Sequence, residues 1–124
     1  MKCFRVWSYY WEKYATEAEL YMDGSIDAIF EDDDGVPHHE NTDLVVEFKT
    51  GLKDKNGKEI YEGDIVKYAY TRCNYIVVYR RYDASFVLEN DDREEVIHFR
   101  YDRQSDYEVA GNIHDNPELL EEEG

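Results

Sequence analysis

Residues 50–66, with the sequence TGLKDKNGKEIYEGDIV, give the clearest indication of the fold. Asn56-Gly57 is a strong hairpin signal, because a type I′ turn needs a positive φ at both central residues. Ile60 and Tyr61 are predicted to point into the core, and Gly63 is predicted to supply the bend that begins a long strand. This stretch therefore predicts a tight hairpin leading into the first strand of a β-rich unit.

The rest of the chain alternates short apolar runs with turn residues. The runs are residues 4–7, 19–22, 25–30, 44–48, 65–70, 75–79, 85–88, 96–99 and 107–111. An Asp-Gly pair at 23–24 predicts a second hairpin. The continuous apolar run at 75–79 predicts a strand buried on both faces, and residues 31–41 predict a polar loop. Residues 8–18 fit either one face of a helix or part of a sheet.

Short strands at intervals of about ten residues predict a mainly β fold of the α+β class. We expect a small antiparallel barrel-like or bifurcated sheet, with a barrel-like part over about residues 50–112 of a single domain spanning 1–124. The end of the chain differs. Asn116 is a good N-cap, Pro117 suits the first helical position, and Glu118 suits the positive end of a helix dipole, so a short C-terminal helix is predicted.

The charge of the chain is strongly acidic and unevenly placed. Fourteen Lys and Arg face thirty Asp and Glu, which gives a formal net charge of −16. Residues 49–103 carry eleven charges of each sign, whereas residues 1–48 carry a net −9 and residues 104–124 a net −7. This distribution argues against a nucleic-acid binder, which needs a basic face. Twelve Tyr, five Phe and two Trp exclude disorder and favour strands.

The cysteine count and the hydropathy pattern restrict the compartment. Cys3 and Cys73 are too few for a disulfide framework or a zinc cluster, and neither has a CxxC partner. The first residues lack the apolar run of a secretory signal, and no stretch approaches the roughly 20 apolar residues of a membrane span. We therefore expect a soluble intracellular protein with two free thiols.

The residue patterns that carry catalysis or metal binding are weak in this chain. His38 and His39 lie near an Asp-rich loop, but adjacent residues of an extended segment point to opposite sides and do not easily share a metal ion. The loop also lacks the ligand spacing of a calcium site. Neither cysteine lies in a motif that would activate a nucleophile, and glycine-rich phosphate loops are missing. We predict no enzymatic activity, no catalytic residue, no cofactor and no metal.

Two groups of charged residues are candidates for binding. Arg80, Arg81, Arg100 and Arg103 alternate with tyrosines, as in single-strand nucleic-acid binders. Alternatively, these arginines pair with nearby acids, among them Asp83, Glu94, Glu95 and Asp102. The acidic loop residues Asp32, Asp33 and Asp34 can imitate the phosphates of DNA, or they can simply form a solvated surface. These seven arginines and aspartates are the candidate interaction residues.

Three segments resemble one protein family. They are residues 50–66, residues 107–120 with the sequence YEVAGNIHDNPELL, and residues 4–7 with the sequence FRVW. In this order they resemble the YopX-like family of bacteriophage and prophage proteins. The resemblance implies a mostly β fold with a compact barrel-like part, encoded by a phage or prophage and working in the bacterial cytoplasm. No established activity comes with the family, so no catalytic residues are transferred.

These observations together predict a non-enzymatic accessory protein that acts by binding a macromolecule. A protein partner is expected, or a second copy of the chain, since exposed edge strands and abundant tyrosines suit association. One alternative is an acidic DNA mimic that inhibits a host nucleic-acid-binding protein. Another is weak nucleic-acid binding through the four arginines. A small hydrolase is a third, provided that a pocket joins His98 or His114 to a cysteine or two carboxylates.

Overall fold

The computed structural model describes residues 3–90 and 95–121, and more than half of these residues lie in β-strands. The strands are β1 (Phe4–Ser8), β2 (Lys13–Tyr14), β3 (Glu17–Leu20), β4 (Ile26–Glu31), β5 (Pro37–Glu40), β6 (Leu44–Lys53), β7 (Glu59–Tyr61), β8 (Asp64–Tyr68), β9 (Asn74–Arg80), β10 (Ser85–Asn90), β11 (Glu95–His98) and β12 (Tyr107–Asn112). The mainly β class is therefore confirmed. The chain divides into two compact units, Met1–Phe48 and Lys49–Gly124.

In the first unit, β1 pairs antiparallel with both β2 and the part of β6 that ends at Phe48. Strands β3, β4 and β5 form an antiparallel sheet in that order. The hairpin predicted at residues 23–24 joins β3 to β4: Tyr21 N donates to Ser25 O at 2.9 Å, and Gly24 has a φ of +90°. The hairpin is confirmed, but its turn is not of type I′, because Gly24 has a positive φ and Asp23 does not.

The interior of the first unit combines a small apolar core with a buried charge. The core contains Val6, Ala18, Ala28 and Phe30. Glu47 is also buried, and its Oε1 accepts hydrogen bonds from Arg5 Nε at 2.8 Å and from the Tyr14 hydroxyl at 2.9 Å. A buried carboxylate is tolerated only when donors replace its lost water. The arginine and the tyrosine supply those donors here.

In the second unit, five antiparallel strands follow the order β11-β10-β9-β8-β12 and curl into half a barrel. The part of β6 that begins at Lys49 pairs with β7, and the predicted Asn-Gly turn joins the two strands. Asp54 N donates to Lys58 O at 2.8 Å across this turn, and Gly57 has a φ of +83°. The core of this unit contains Leu52, Ile60, Val66, Tyr75, Val77, Leu88 and Tyr107.

Strand β9 departs from its predicted burial. Tyr75 and Val77 are buried, whereas Ile76 and Val78 are only partly buried and Tyr79 is exposed. The prediction of a strand buried on both faces is wrong, because only one face of the curled antiparallel sheet packs against the core.

Residues 31–41 are not entirely loop. Residues 37–40 form β5, which pairs with β4 through Phe30 opposite His38 and Ile29 opposite His39. The loop prediction is wrong for these four residues, because an edge strand needs no apolar alternation when both of its faces are polar. Residues 8–18 form part of a sheet and not a helix. Ser8 Oγ accepts a hydrogen bond from the Trp11 amide at 2.9 Å in a turn, and β2 follows this turn.

The C-terminal helix is a single 3₁₀ turn, Pro117–Leu120. Asn116 occupies the N-cap position but does not cap the turn with its side chain. Its Oδ1 instead accepts the Asn112 amide at 3.2 Å, which ties the turn to the end of β12. A second 3₁₀ segment, Tyr101–Asp106, connects β11 to β12. Neither helical segment of the described residues has the length and apolar character to cross a membrane.

Candidate interaction surfaces

Arg80 ends β9 in a set of local contacts. Its Nη2 donates to Asp83 Oδ2 at 2.6 Å and lies 3.3 Å from His98 Nε2, and its guanidinium stacks 4.8 Å from the ring centre of Tyr82. The hydrogen bond from Arg80, followed by that from the Ser85 hydroxyl, holds the pKa of Asp83 below its usual value. Arg80 therefore forms an ion pair within the protein, as expected if the arginines pair with nearby acids.

The other three arginines differ in their contacts. Arg100 Nε lies 3.4 Å from Asp102 Oδ1. Arg103 Nη1 donates to the Tyr70 hydroxyl at 2.6 Å and lies 3.8 Å from a carboxylate oxygen of Asp106. Arg81 is exposed and has no ion pair within residues 3–90 and 95–121. Glu94 and the side chain of Glu95, which were predicted to pair with these arginines, lie outside the described part of the chain.

The four arginines do not form one patch. Arg80 and Arg81 lie where β9 ends, whereas Tyr70, the partner of Arg103, lies in the turn before β9 begins. A strand of seven residues spans about 20 Å, so these two sites are far apart along the sheet. The predicted set therefore separates into Arg80 and Arg81 at the end of β9 and Arg103 beside Tyr70, and Arg100 lies next to Arg103, whose backbone N donates to Arg100 O at 3.0 Å.

The acidic loop has one structural and two solvent-facing aspartates. Asp32 Oδ1 accepts the amides of Asp34 and Val36, each at 2.9 Å, and its Oδ2 lies 3.0 Å from His38 Nε2. The His38 contact, then the Val36 amide, lowers the pKa of Asp32. Asp33 and Asp34 have exposed side chains. Only these last two are available to a partner.

The residues considered for metal or covalent chemistry lie apart. Among the described residues no three His, Cys, Asp or Glu side chains cluster so as to hold a metal ion. Cys3 is exposed, and Cys73 Sγ donates to Thr71 O at 3.5 Å. His98 contacts Arg80, as described above, and the His114 amide donates to Asn112 Oδ1 at 2.9 Å.

The two edges of the curled sheet are unequal, a feature that the sequence patterns did not predict. The β12 edge is covered by the turn after β6: Lys55 N donates to Tyr107 O at 2.8 Å, and Val109 N donates to Asp54 Oδ2 at 2.9 Å. Strand β11 pairs with β10 alone among the described strands. Within residues 3–90 and 95–121, the second edge of β11 has no paired strand, and we call it the open edge.

Apolar side chains are exposed near this open edge. Val96, within β11, is 46% exposed. Tyr82, which stacks on the Arg80 guanidinium, and Tyr101, three residues beyond the end of β11, are also exposed. The run at residues 96–99 identified a strand, but strand order decides which strand forms an edge, and strand order is not readable from periodicity.

A cleft of about 310 Å³ lies elsewhere in the second unit. Its lining includes Lys55, Lys67, Tyr68, Arg72, Asp106 and Glu108. Lys55 Nζ lies 3.4 Å from Glu108 Oε1, and Lys67 is the cross-strand neighbour of Glu108. A cation-rich concavity is unexpected in so acidic a chain.

Comparisons with known proteins agree with the fold. The family model described as YopX protein matches residues 3–121. The crystal structure of protein EF1440 from Enterococcus faecalis is 31% identical, with a TM-score of 0.65 over 95% of this chain and 96% of that chain. The crystal structure of yopX from Bacillus subtilis is 18% identical, with a TM-score of 0.59 over 95% of this chain and 97% of that chain. No curated protein matches the chain.

Proposed function

The chain belongs to the YopX protein family, and from this premise we propose that it is a non-enzymatic binding protein that takes up an extended segment of a protein partner at the open edge of β11. In this proposal it is a phage or prophage accessory protein that acts in the bacterial cytoplasm, as the family resemblance implies. The observation that carries the proposal is the inequality of the two sheet edges. An unpaired edge presents a row of backbone donors and acceptors to an incoming strand.

The surroundings of β11 favour such an addition. Arg80 contacts His98 at the end of the strand and Tyr82 in the next turn, so that these groups are already held in place. Val96 offers an exposed apolar side chain on the strand itself, and aromatic residues are common in protein interfaces. Strand addition gains affinity from main-chain hydrogen bonds and specificity from side-chain contacts of this kind.

Charge distinguishes between the two kinds of protein partner. Residues 91–95 carry four acidic residues and one arginine. A second copy of a chain with a net charge of −16 would be repelled by the first, whereas a basic segment would be attracted. We therefore favour a different protein, whose extended segment carries basic residues.

Crosslinking at matched positions tests the proposal. Val96 and Val36 are 46% and 50% exposed, and Val36 lies beside the acidic loop in the first unit. A photo-crosslinking amino acid at either position is exposed to bacterial lysate, and the captured protein is identified. We expect one partner to be captured through position 96, and we expect unmodified chain and Val36→Lys to compete with this capture, whereas Val96→Lys should not compete.

The other outcomes separate the alternatives. Capture through position 36 alone, abolished by Asp33→Asn/Asp34→Asn, would contradict strand addition and support an acidic DNA mimic. Retention of single-stranded DNA in a gel shift at low salt, lost in Arg81→Ala, would support a nucleic-acid contact instead. Sedimentation that shows a dimer dissociated by Val96→Lys would identify a second copy as the partner.

A further inference from the structure

The cleft lined by Lys55, Lys67 and Arg72 has cations without matching anions. Lys67 and Arg72 are exposed and make no ion pair within the described part of the chain. The charge of Asp106 is offset by Arg103 at 3.8 Å. Lys55 is paired with Glu108 at 3.4 Å, so Lys67 and Arg72 are the two cations of the lining that remain without an ion pair in the described residues.

The walls of the cleft are fixed by backbone hydrogen bonds. Ala69 N donates to Asp106 O at 3.0 Å on one side, and Lys55 N donates to Tyr107 O at 2.8 Å on the other. These bonds join the turn after β8, the start of β12 and the turn after β6. A cleft with fixed walls loses little conformational entropy when a ligand binds.

Arg72 adopts an unusual backbone conformation at the rim. Its φ is +60°, in the left-handed region that residues other than glycine seldom occupy, and its amide donates to Tyr68 O at 2.7 Å. Glycine would fill this position with less strain. Such strain in a non-glycine residue is found preferentially at functional sites.

We propose that this cleft binds a small phosphate ester. A phosphate monoester carries close to two negative charges and three terminal oxygens, which suit the two cations Lys67 and Arg72 that have no ion pair in the described residues. The ring of Tyr68 lines the cleft and has Tyr70 at 5.3 Å between ring centres, so it offers a flat surface to a sugar or base. The volume suits a small molecule. This site is independent of the β11 edge.

Isothermal titration at low ionic strength tests the assignment with four probes: ribose 5-phosphate, AMP, ribose and inorganic phosphate. We expect both esters to bind, ribose not to bind, and inorganic phosphate to bind more weakly than the esters. Arg72→Gly removes the guanidinium and relieves the left-handed strain, so it should weaken ester binding at least about tenfold without loss of stability. Lys67→Gln should weaken it as well.

Arg81→Ala is the matched control, because Arg81 is also exposed and without an ion pair in the described residues but does not line the cleft. It should bind the esters as the wild type does. Equal weakening in Arg81→Ala and Arg72→Gly would overturn the proposal in favour of general charge attraction. Absence of ester binding, or binding of inorganic phosphate as tightly as the esters, would overturn it too.

Discussion

Asp54 holds the turn after β6 against the last strand of the curled sheet. Its Oδ1 accepts the amides of Asn56 and Lys58, each at 2.9 Å, and its Oδ2 accepts the amide of Val109 at 2.9 Å. The side chain is buried, so water cannot replace these bonds. One carboxylate therefore both shapes the Asn-Gly turn and covers the β12 edge.

Replacing Asp54 with asparagine should destabilise the protein. The asparagine side chain has one oxygen that accepts hydrogen bonds and one NH₂ group that only donates. Because backbone N–H groups face both oxygen positions of Asp54, at least one buried backbone N–H loses its acceptor. We expect a loss of about 3 kcal/mol in the free energy of unfolding, measured by urea denaturation. Asp33→Asn, an exposed change, is the control and should stay within about 0.5 kcal/mol of wild type. Equal stability of Asp54→Asn and wild type would contradict the role assigned to Asp54.

The same carboxylate should make stability depend on pH. Burial on its own would raise the pKa of Asp54, but the amides of Val109, Lys58 and Asn56 together outweigh burial and lower that pKa. Its stabilising effect is therefore complete above the unfolded pKa of about 4 and is lost as the pH falls through the lower folded pKa. Between about pH 5 and pH 2, urea midpoints of the wild type should fall more steeply than those of Asp54→Asn. Parallel acid profiles would argue against this linkage.

At this scale the sequence predicted the turn but not its long-range contact. The residues Asp54, Asn56 and Gly57 follow local rules of turn chemistry, which depend on a few neighbouring dihedral angles. Val109 lies 55 residues away in sequence from Asp54, and only the strand order brings the two together. For the same reason the separation of Arg103 from Arg80 was not predictable.

Strand β12 and the C-terminal turn meet where Gly111 faces Asn116. A Cβ atom at Gly111 would lie 2.3 Å from Asn116 Oδ1 and 3.0 Å from Asn116 Cβ. This contact follows an irregularity in the pairing of β8 with β12 between Val109 and Gly111. The absence of a side chain at Gly111 allows Asn116 to reach the Asn112 amide.

Gly111→Ala should therefore displace the C-terminal turn. We expect a cost of about 1–3 kcal/mol from overpacking and from the lost hydrogen bond between Asn112 and Asn116. In an Asn116→Gly background the new methyl group meets no side chain at that position, so the added cost of Gly111→Ala should be smaller. A double-mutant cycle measures this coupling, with the stability of each variant determined by thermal unfolding. Additive effects would show that the clash is absent.

Errors at the scale of elements arose in strands whose apolar content does not match their place in the sheet. Strand β9 contains a continuous apolar run, yet the curled sheet packs only one of its faces on the core. Strand β5 contains Pro37 and two histidines, yet it pairs fully with β4. Periodicity reports the chemistry of side chains, and in both strands the pairing of the backbone decided the structure.

For the molecule as a whole, the distribution of charge along the chain could be predicted from the sequence alone. The position of the open edge and of the cation-rich cleft was not, because both depend on which strands become neighbours. Both units are acidic: residues 1–48 carry a net −9, and residues 49–124 carry eleven basic and eighteen acidic side chains, a net −7. Repulsion among like charges within each unit opposes the compact state.

Added salt should therefore stabilise the folded protein. Raising the NaCl concentration from about 20 mM to about 500 mM shortens the Debye length from roughly 20 Å to roughly 4 Å and screens this repulsion. We expect the urea midpoint to rise with salt. Asp33→Asn/Asp34→Asn removes two exposed carboxylates of the acidic loop, so it should be more stable than wild type at low salt and equal to it at high salt. A midpoint that falls with salt in both proteins would mean that attractive ion pairs such as Arg5–Glu47 and Arg80–Asp83 outweigh the repulsion.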